Sequence, residues 1–239
     1  MASKKEEGVV EVFKELGLYD PASSGIYVVY GAPAVGKTTL MARLLEGLAR
    51  DEVAAFYAAA EPNLLLYGQL DAIRRLLPQR ARCGGRELEA VRYVDAPLPL
   101  LHFVVEVTTA CERAVMAVDS ITALALHEQA RYLAATGRLD QLYVIRQISA
   151  FGNALAQLAA ANMVSRHVTL YLVAQERPAI GQPYYGEPAA PSFAMRAQHN
   201  VAATARLTAV AAKRTLKVVW HRVSRYAGQT REIELEPLV

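Results

Sequence analysis

The stretch Ile26-Tyr27-Val28-Val29-Tyr30-Gly31-Ala32-Pro33-Ala34-Val35-Gly36-Lys37-Thr38-Thr39 decides the fold. It opens on a short β-branched and aromatic run that reads as a buried strand, passes through a G-x-x-x-x-G-K-T loop, and enters a helical pattern. The helix is expected from Lys37 to about Ala49, with Leu40, Leu44, Leu45 and Leu48 forming its apolar stripe. Gly31 and Gly36 let the backbone curl tightly enough for successive N–H groups to face phosphate oxygens at the positive end of that helix. Lys37 is then placed to reach β- and γ-phosphates, and the Thr38 hydroxyl to ligate magnesium. Residues Gly31 to Thr39 are therefore expected to bind ATP with Mg2+; an ordinary glycine-rich turn would not need a strand before it and a helix after it. Ala34 stands where many such loops carry glycine.

Outward from the loop, apolar runs rich in β-branched residues alternate with helical patterns, which implies a mainly parallel sheet covered by helices. Further strands are expected at 53–57, 91–94, 114–118 and 168–173, and a long helix from about 140 to 162. The strands end at polar residues, so Gly31, Glu61, Asp119 and Gln175 are expected to converge at the carboxyl edge of the sheet, where open α/β sheets bind ligands. The segment from about 176 to 199, with Pro178, Pro183, Pro188 and Pro191, shows no period and reads as a long functional loop. Three short strands at 205–211, 216–221 and 232–235 are expected to extend the sheet antiparallel. The domain reading is an N-terminal segment, 1–24, before one core, 25–239.

Composition narrows the classes. Of 239 residues 53% are hydrophobic, enough for one sizeable core, and no apolar run approaches a membrane span or a signal segment. A soluble, cytoplasmic protein is expected. Cys83 and Cys111 form no CxxC pair and share no ligand spacing with the histidines, so neither structural zinc nor a disulfide framework is expected. The net charge of +3 is modest but unevenly spread: Arg74, Arg75, Arg80, Arg82 and Arg86 form one acid-free run, and Lys213, Arg214, Lys217, Arg222, Arg225 and Arg231 lie in another. Such runs suit nucleic acid and suit a solvated surface equally well.

Two carboxylates carry the remaining chemistry. Asp119 closes an apolar strand, where it can hold magnesium through a water or cap the helix starting at Ser120. Glu61 is a candidate general base that can orient or deprotonate an attacking water; the plain alternative is a capping glutamate for the helix near Leu64.

With these residues in place the chain resembles the core domain of the RecA/RadA recombinase superfamily, most of all the archaeal RadA paralogs and RadB-like proteins. The resemblance spans roughly residues 25–235. It rests on the phosphate loop, Ala60-Glu61, Val118-Asp119-Ser120-Ile121-Thr122, Val173-Ala174-Gln175, and Gly186-Glu187-Pro188 leading to His199-Asn200 and Arg206. It implies a RecA-like P-loop fold, Glu61 as catalytic glutamate with Lys37, Gln175 as γ-phosphate sensor, and a DNA-facing loop from about 177 to 198 with Arg177, Tyr184, Tyr185 and Arg196. The stretch from Arg131 to Arg138 resembles the second DNA-facing loop. It also implies that Lys213, Arg214, His221 or Arg222 reach a neighbouring subunit's nucleotide.

The chain also departs from the pattern. No helix-hairpin-helix module is expected before the core, residues 8–24 contain no F-x-x-A motif, and Ala58-Ala59-Ala60 precede Glu61 where acidic and hydroxyl residues are usual. The expected role is an accessory ATPase that assists recombination, with single-stranded DNA, a RadA-type recombinase or another paralog as partner, in a homo- or hetero-oligomer. A KaiC-like non-catalytic nucleotide switch is the alternative, and a small-molecule kinase the weakest reading. If the 177–198 loop binds single-stranded DNA by stacking, a Tyr184→Ala/Tyr185→Ala variant loses on the order of 1–3 kcal/mol per base affected in a titration with labelled oligonucleotide. Indifference of DNA affinity to both tyrosines removes the loop from the DNA path.

Overall fold

The computed structural model describes residues 8–138, 155, 157, 160–161, 166–177, 190–191, 200–211 and 213–238. In chain order the elements are α1 (Val9–Glu15), β1 (Gly25–Gly31), α2 (Lys37–Arg50), β2 (Ala54–Ala59), α3 (Pro62–Leu66), α4 (Gln69–Leu76), β3 (Arg80–Cys83), β4 (Arg86–Glu89), β5 (Val91–Tyr93), α5 (Pro97–Ala110), β6 (Arg113–Asp119) and α6 (Ile121–Thr136). The chain continues with β7 (His167–Arg177), β8 (Ala190–Pro191), β9 (Ala203–Val210), β10 (Lys213–His221) and β11 (Thr230–Ile233). The helix expected from 140 to 162 lies almost wholly outside the described residues, although Leu155 is helical and buried.

Among the described residues one sheet runs β11-β10-β9-β1-β7-β6-β2-β5, with the short β8 pairing antiparallel to the end of β7. Strands β9, β1, β7, β6, β2 and β5 are mutually parallel, and β10 and β11 turn back antiparallel at one edge. This is an α/β fold with a mainly parallel sheet flanked by helices and antiparallel C-terminal strands. Strand β1 is buried at every position and β6 at every position after Arg113, the signature of strands covered on both faces. Strand β10 alternates instead, burying Leu216 and Val218 while Lys217 and Val219 face outward, as an edge hairpin does.

The α1 segment packs onto this core: Phe13, Leu16 and Leu18 are fully buried, Phe13 meets Tyr171 edge to face at 5.6 Å, and the Tyr171 hydroxyl donates to the Leu18 carbonyl at 2.7 Å. Fully burying each such side chain contributes about 1.5–3 kcal/mol. No helix among the described residues is long and apolar enough to cross a membrane.

Two differences from the sequence expectations have physical causes. Strand β7 runs past 173 to Arg177, because the returning β8 supplies hydrogen-bond partners at Glu176 and Arg177. The expectation that the chain has no disulfide framework is corrected: Cys83 and Cys111 form a disulfide, their Cα atoms 4.4 Å apart. The hairpin β3-β4, turned by Gly84 and Gly85 at φ 54° and 82°, carries Cys83 to the end of α5, so the fold joins what spacing keeps 28 residues apart. Closing a loop of that length restricts the unfolded chain. Replacing both cysteines by alanine is therefore expected to lower unfolding free energy by about 3–4 kcal/mol in denaturant titrations, and added reductant to act likewise on the wild type.

Candidate functional site

Strand β1 ends at Gly31 and helix α2 begins at Lys37, so the intervening loop must reverse direction within a few residues. Gly36 takes φ 100°, a conformation that L side chains rarely adopt, and it forms the N-terminal boundary of α2. At Gly31 the limit is space, since a Cβ there would lie 2.3 Å from the Leu207 carbonyl oxygen on β9. Ala34 adopts φ 61°, which explains why glycine is common at this point of such loops; the methyl group carries a small strain.

Lys37 is 7% exposed and donates to the carbonyls of Gly31 at 3.0 Å and Ala32 at 2.7 Å, folding back over its own loop. Burial pushes its pKa below the usual lysine value, opposed by the negative charges of Asp119, Glu61 and Glu176. The next residue, Thr38, donates to Asp119 Oδ2 at 2.6 Å. Asp119 arrives from β6, which is separated from β1 by β7, and is almost completely buried. Its same oxygen also accepts the Tyr57 hydroxyl at 2.5 Å. Burial and the nearby Glu61 charge push the Asp119 carboxyl up to about 6, while the Thr38 and Tyr57 hydrogen bonds and Lys37 pull it down. Ser120, not Asp119, caps α6, its Oγ accepting from the Ala123 amide at 3.1 Å. The capping alternative for Asp119 is thereby removed.

The same holds for Glu61. It precedes Pro62 at the start of α3 but its side chain makes no capping bond. Instead Glu61 Oε1 accepts from Ser120 Oγ at 2.8 Å and lies 3.5 Å from the Gln175 amide nitrogen. Gln175 sits opposite Gly31 in the β1–β7 register, and its backbone N–H donates to Thr122 Oγ1 at 2.9 Å. Of the four strand ends expected to converge, Gln175 and Glu61 are joined by a hydrogen bond that Ser120 extends, Asp119 accepts from Thr38, and Gly31 accepts from Lys37. Sequence reasoning missed Tyr57, Ser120 and Thr122. For Ser120 and Thr122 the available signal was their position directly after Asp119; Tyr57 looked like any core aromatic.

The outlying candidates are placed differently. Arg131, on α6, is ion-paired with Glu128 at 2.8 Å and Asp95 at 3.2 Å, and Arg138 is exposed just beyond Gly137 at the end of that helix. Arg177 ends β7, whereas Tyr184, Tyr185 and Arg196 lie outside the described residues. The four cations considered for a neighbouring nucleotide divide between the two ends of the sheet. Lys213 pairs with Glu232, and Arg214 Nε comes within 3.5 Å of the point where a Gly36 Cβ would sit. His221 and Arg222 are at the opposite end, where His221 Nε2 donates to the Gly17 carbonyl at 2.9 Å and the Arg222 amide to Ala202.

The residues present fit a magnesium nucleotide. Thr38 and Asp119 are hard oxygen donors, Lys37 is a buried cation, and Gly36 opens a helix N-terminus toward the loop. No group of three or more His, Cys, Asp or Glu side chains among the described residues could hold a metal by itself.

No family model matches the chain, and no curated protein sequence matches it. Solved structures do share its fold, which is RecA-like. The crystal structure of the RadB recombinase superimposes with a TM-score of 0.59 at 14% identity, over 97% of this chain and 94% of that one. The flagellar accessory protein FlaH from Methanocaldococcus jannaschii does so with a TM-score of 0.54 at 16% identity, over 98% and 94%.

Lys37→Ala removes the cation that would face the β- and γ-phosphates. Calorimetry is expected to show ATP affinity reduced at least about tenfold, roughly 1.4 kcal/mol. Unchanged affinity would mean that the loop is not the nucleotide site.

Proposed function

We propose that the chain is a RadA-paralog-like ATP-binding protein that assists homologous recombination and DNA repair, with weak Mg2+-dependent hydrolysis coupled to DNA or recombinase binding. The observation that carries this reading is a pair of hydrogen-bonded clusters that meet at the Asp119–Ser120 peptide, with Gln175 and Ser120 on Glu61 and Thr38 on Asp119. In it Glu61 is fixed by two donors rather than used as a helix cap.

On this reading the loop Gly31–Thr39 binds the triphosphate, Lys37 compensates its charge, and Thr38 and Asp119 hold magnesium, Asp119 through a water. Magnesium, when bound, neutralises charge developing on the phosphate oxygens. Glu61 orients the attacking water and accepts its proton. Gln175 senses the γ-phosphate, and its place in β7 puts any displacement directly before the 177–198 segment that we assign to single-stranded DNA through Arg177, Tyr184, Tyr185 and Arg196. Arg131 and Arg138 supply a second contact. The ion pairs of Arg131 are exposed, and such pairs contribute only about 0–1 kcal/mol, so a DNA phosphate can replace them. A RadA-type recombinase or a second paralog is the protein partner of this scheme.

The second reading is a KaiC-like nucleotide switch for assembly or signalling that does not depend on turnover, a role that the fold shared with FlaH, an accessory protein, also accommodates. Changing Glu61 to Gln separates the two. The recombination reading expects analogue binding to survive and turnover, with or without single-stranded DNA, to fall on the order of a hundredfold. Equal turnover in both proteins takes the base assignment from Glu61, and a wild type that binds ATP without any turnover leaves the switch in place.

A further inference from the structure

Glu176 follows Gln175 on β7, and because successive strand residues project to opposite faces it points away from Glu61. There it forms an ion pair with Arg206 on β9. Strands β7 and β9 are not hydrogen-bonded neighbours in the sheet; β1 lies between them, with Tyr30 in register with both Ala174 and Arg206. The pair therefore bridges across β1 over the buried Tyr30, one residue before the phosphate loop begins. Its side chains are only 14% and 30% exposed, and Arg206 Nε is buried with no hydrogen-bond partner among the described residues. A pair this enclosed adds little net stability, because desolvation offsets the attraction, but it fixes geometry.

We propose that the Glu176–Arg206 pair is a positioning device for Gln175, locking the carboxyl end of β7 against β1 so that the sensor amide stands opposite Gly31 and within reach of a γ-phosphate. Gln175 is held by its backbone N–H, which donates to Thr122 Oγ1 at 2.9 Å, and by its side chain, 3.5 Å from Glu61, while the pair on the opposite face of the sheet restrains the next residue of the strand. Neither Glu176 nor Arg206 touches the phosphate loop's own donors, and their effect passes through the strand. The proposal rests on the nucleotide-binding reading above.

The test compares calorimetric affinities for ADP and for the β,γ-imido ATP analogue, which need no turnover. In Arg206→Met the preference of the wild type for the analogue over ADP is expected to shrink at least about fivefold, the lower range of a coupling between sites, with ADP affinity unchanged. Arg206→Lys, which keeps the charge, should restore most of the preference. If Arg206→Met does not fold because it strands the Glu176 charge, Glu176→Gln/Arg206→Met removes both charges and gives the same comparison. A preference unaltered by these changes overturns the proposal, as does a parallel loss of ADP affinity and unfolding midpoint, which marks a merely structural pair. A wild type that binds ADP and the analogue equally sinks this inference alone, whereas one that binds no nucleotide sinks the function reading as well.

Discussion

Asp119 Oδ2 accepts hydrogen bonds from Thr38 and Tyr57 in a place from which water is almost entirely excluded. Burying a carboxylate this deeply is costly unless donors or a cation compensate it, and here the donors come from two different strand-helix units. Thr38 belongs to the first turn of α2, and Tyr57 to the middle of β2. The arrangement of β6, β2 and α2 around one oxygen therefore determines where the phosphate loop sits relative to the carboxyl edge of the sheet. Ser120 extends the same constraint, since it caps α6 and donates to Glu61. The second carboxylate is thus positioned by the residue that follows the first.

The charge balance of this cluster explains its chemistry better than any single distance. Burial and then the neighbouring Glu61 charge disfavour ionisation of Asp119, so that its carboxyl rises to about 6, and burial pushes Lys37 the other way. A site with a protonation-prone acid and a desolvated lysine is poised to accept a divalent cation beside a polyanion, because each new charge meets its opposite. Solvent-exposed groups would gain far less from the same encounter.

How much of this could be read from the residues follows from the range of the forces involved. The strand-loop-helix around Gly31 to Thr39 is encoded locally, in backbone freedom and helical periodicity, and the strand ends at Glu61, Asp119 and Gln175 follow from the rule that α/β sheets bind ligands at their carboxyl edge. What could not be read depended on contacts between distant elements. The order that puts β7 between β1 and β6 has no local signature, so neither Tyr57 nor the Glu176–Arg206 bridge could be assigned from spacing. The Cys83–Cys111 bond needed the β3-β4 hairpin to be recognised first. Its Gly84-Gly85 turn lies among Arg80, Arg82 and Arg86, whose spacing by itself marks only surface charge. Helix α5 buries Leu100, Phe103, Val104, Val107 and Thr108 at helical spacing, but apolar residues such as the exposed Leu98 blur the pattern, whereas α6 buries only its first five residues, Ile121 to Ala125.

The C-terminal segment shows how far the basic residues of one run can differ in surroundings. Leu235 comes within 3.3 Å of the position of a Gly36 Cβ, while Arg43 on α2 donates to the Pro237 carbonyl at 3.0 Å and faces Glu236 at 3.6 Å. The chain end is thus laid along the first turns of the helix that follows the phosphate loop, with Arg214 on the same side. Within one protomer, then, a cation from β10 already flanks the loop, whereas His221 is committed at the far end of the sheet, accepting from the Val223 amide and donating to Gly17. A residue whose two ring nitrogens are both used inside the fold cannot reach a neighbouring site without unmaking those bonds, and Lys213 has only an exposed partner, Glu232, to give up. Lys213 is therefore less committed within the fold than His221, and Arg214 lies beside the first turn of α2.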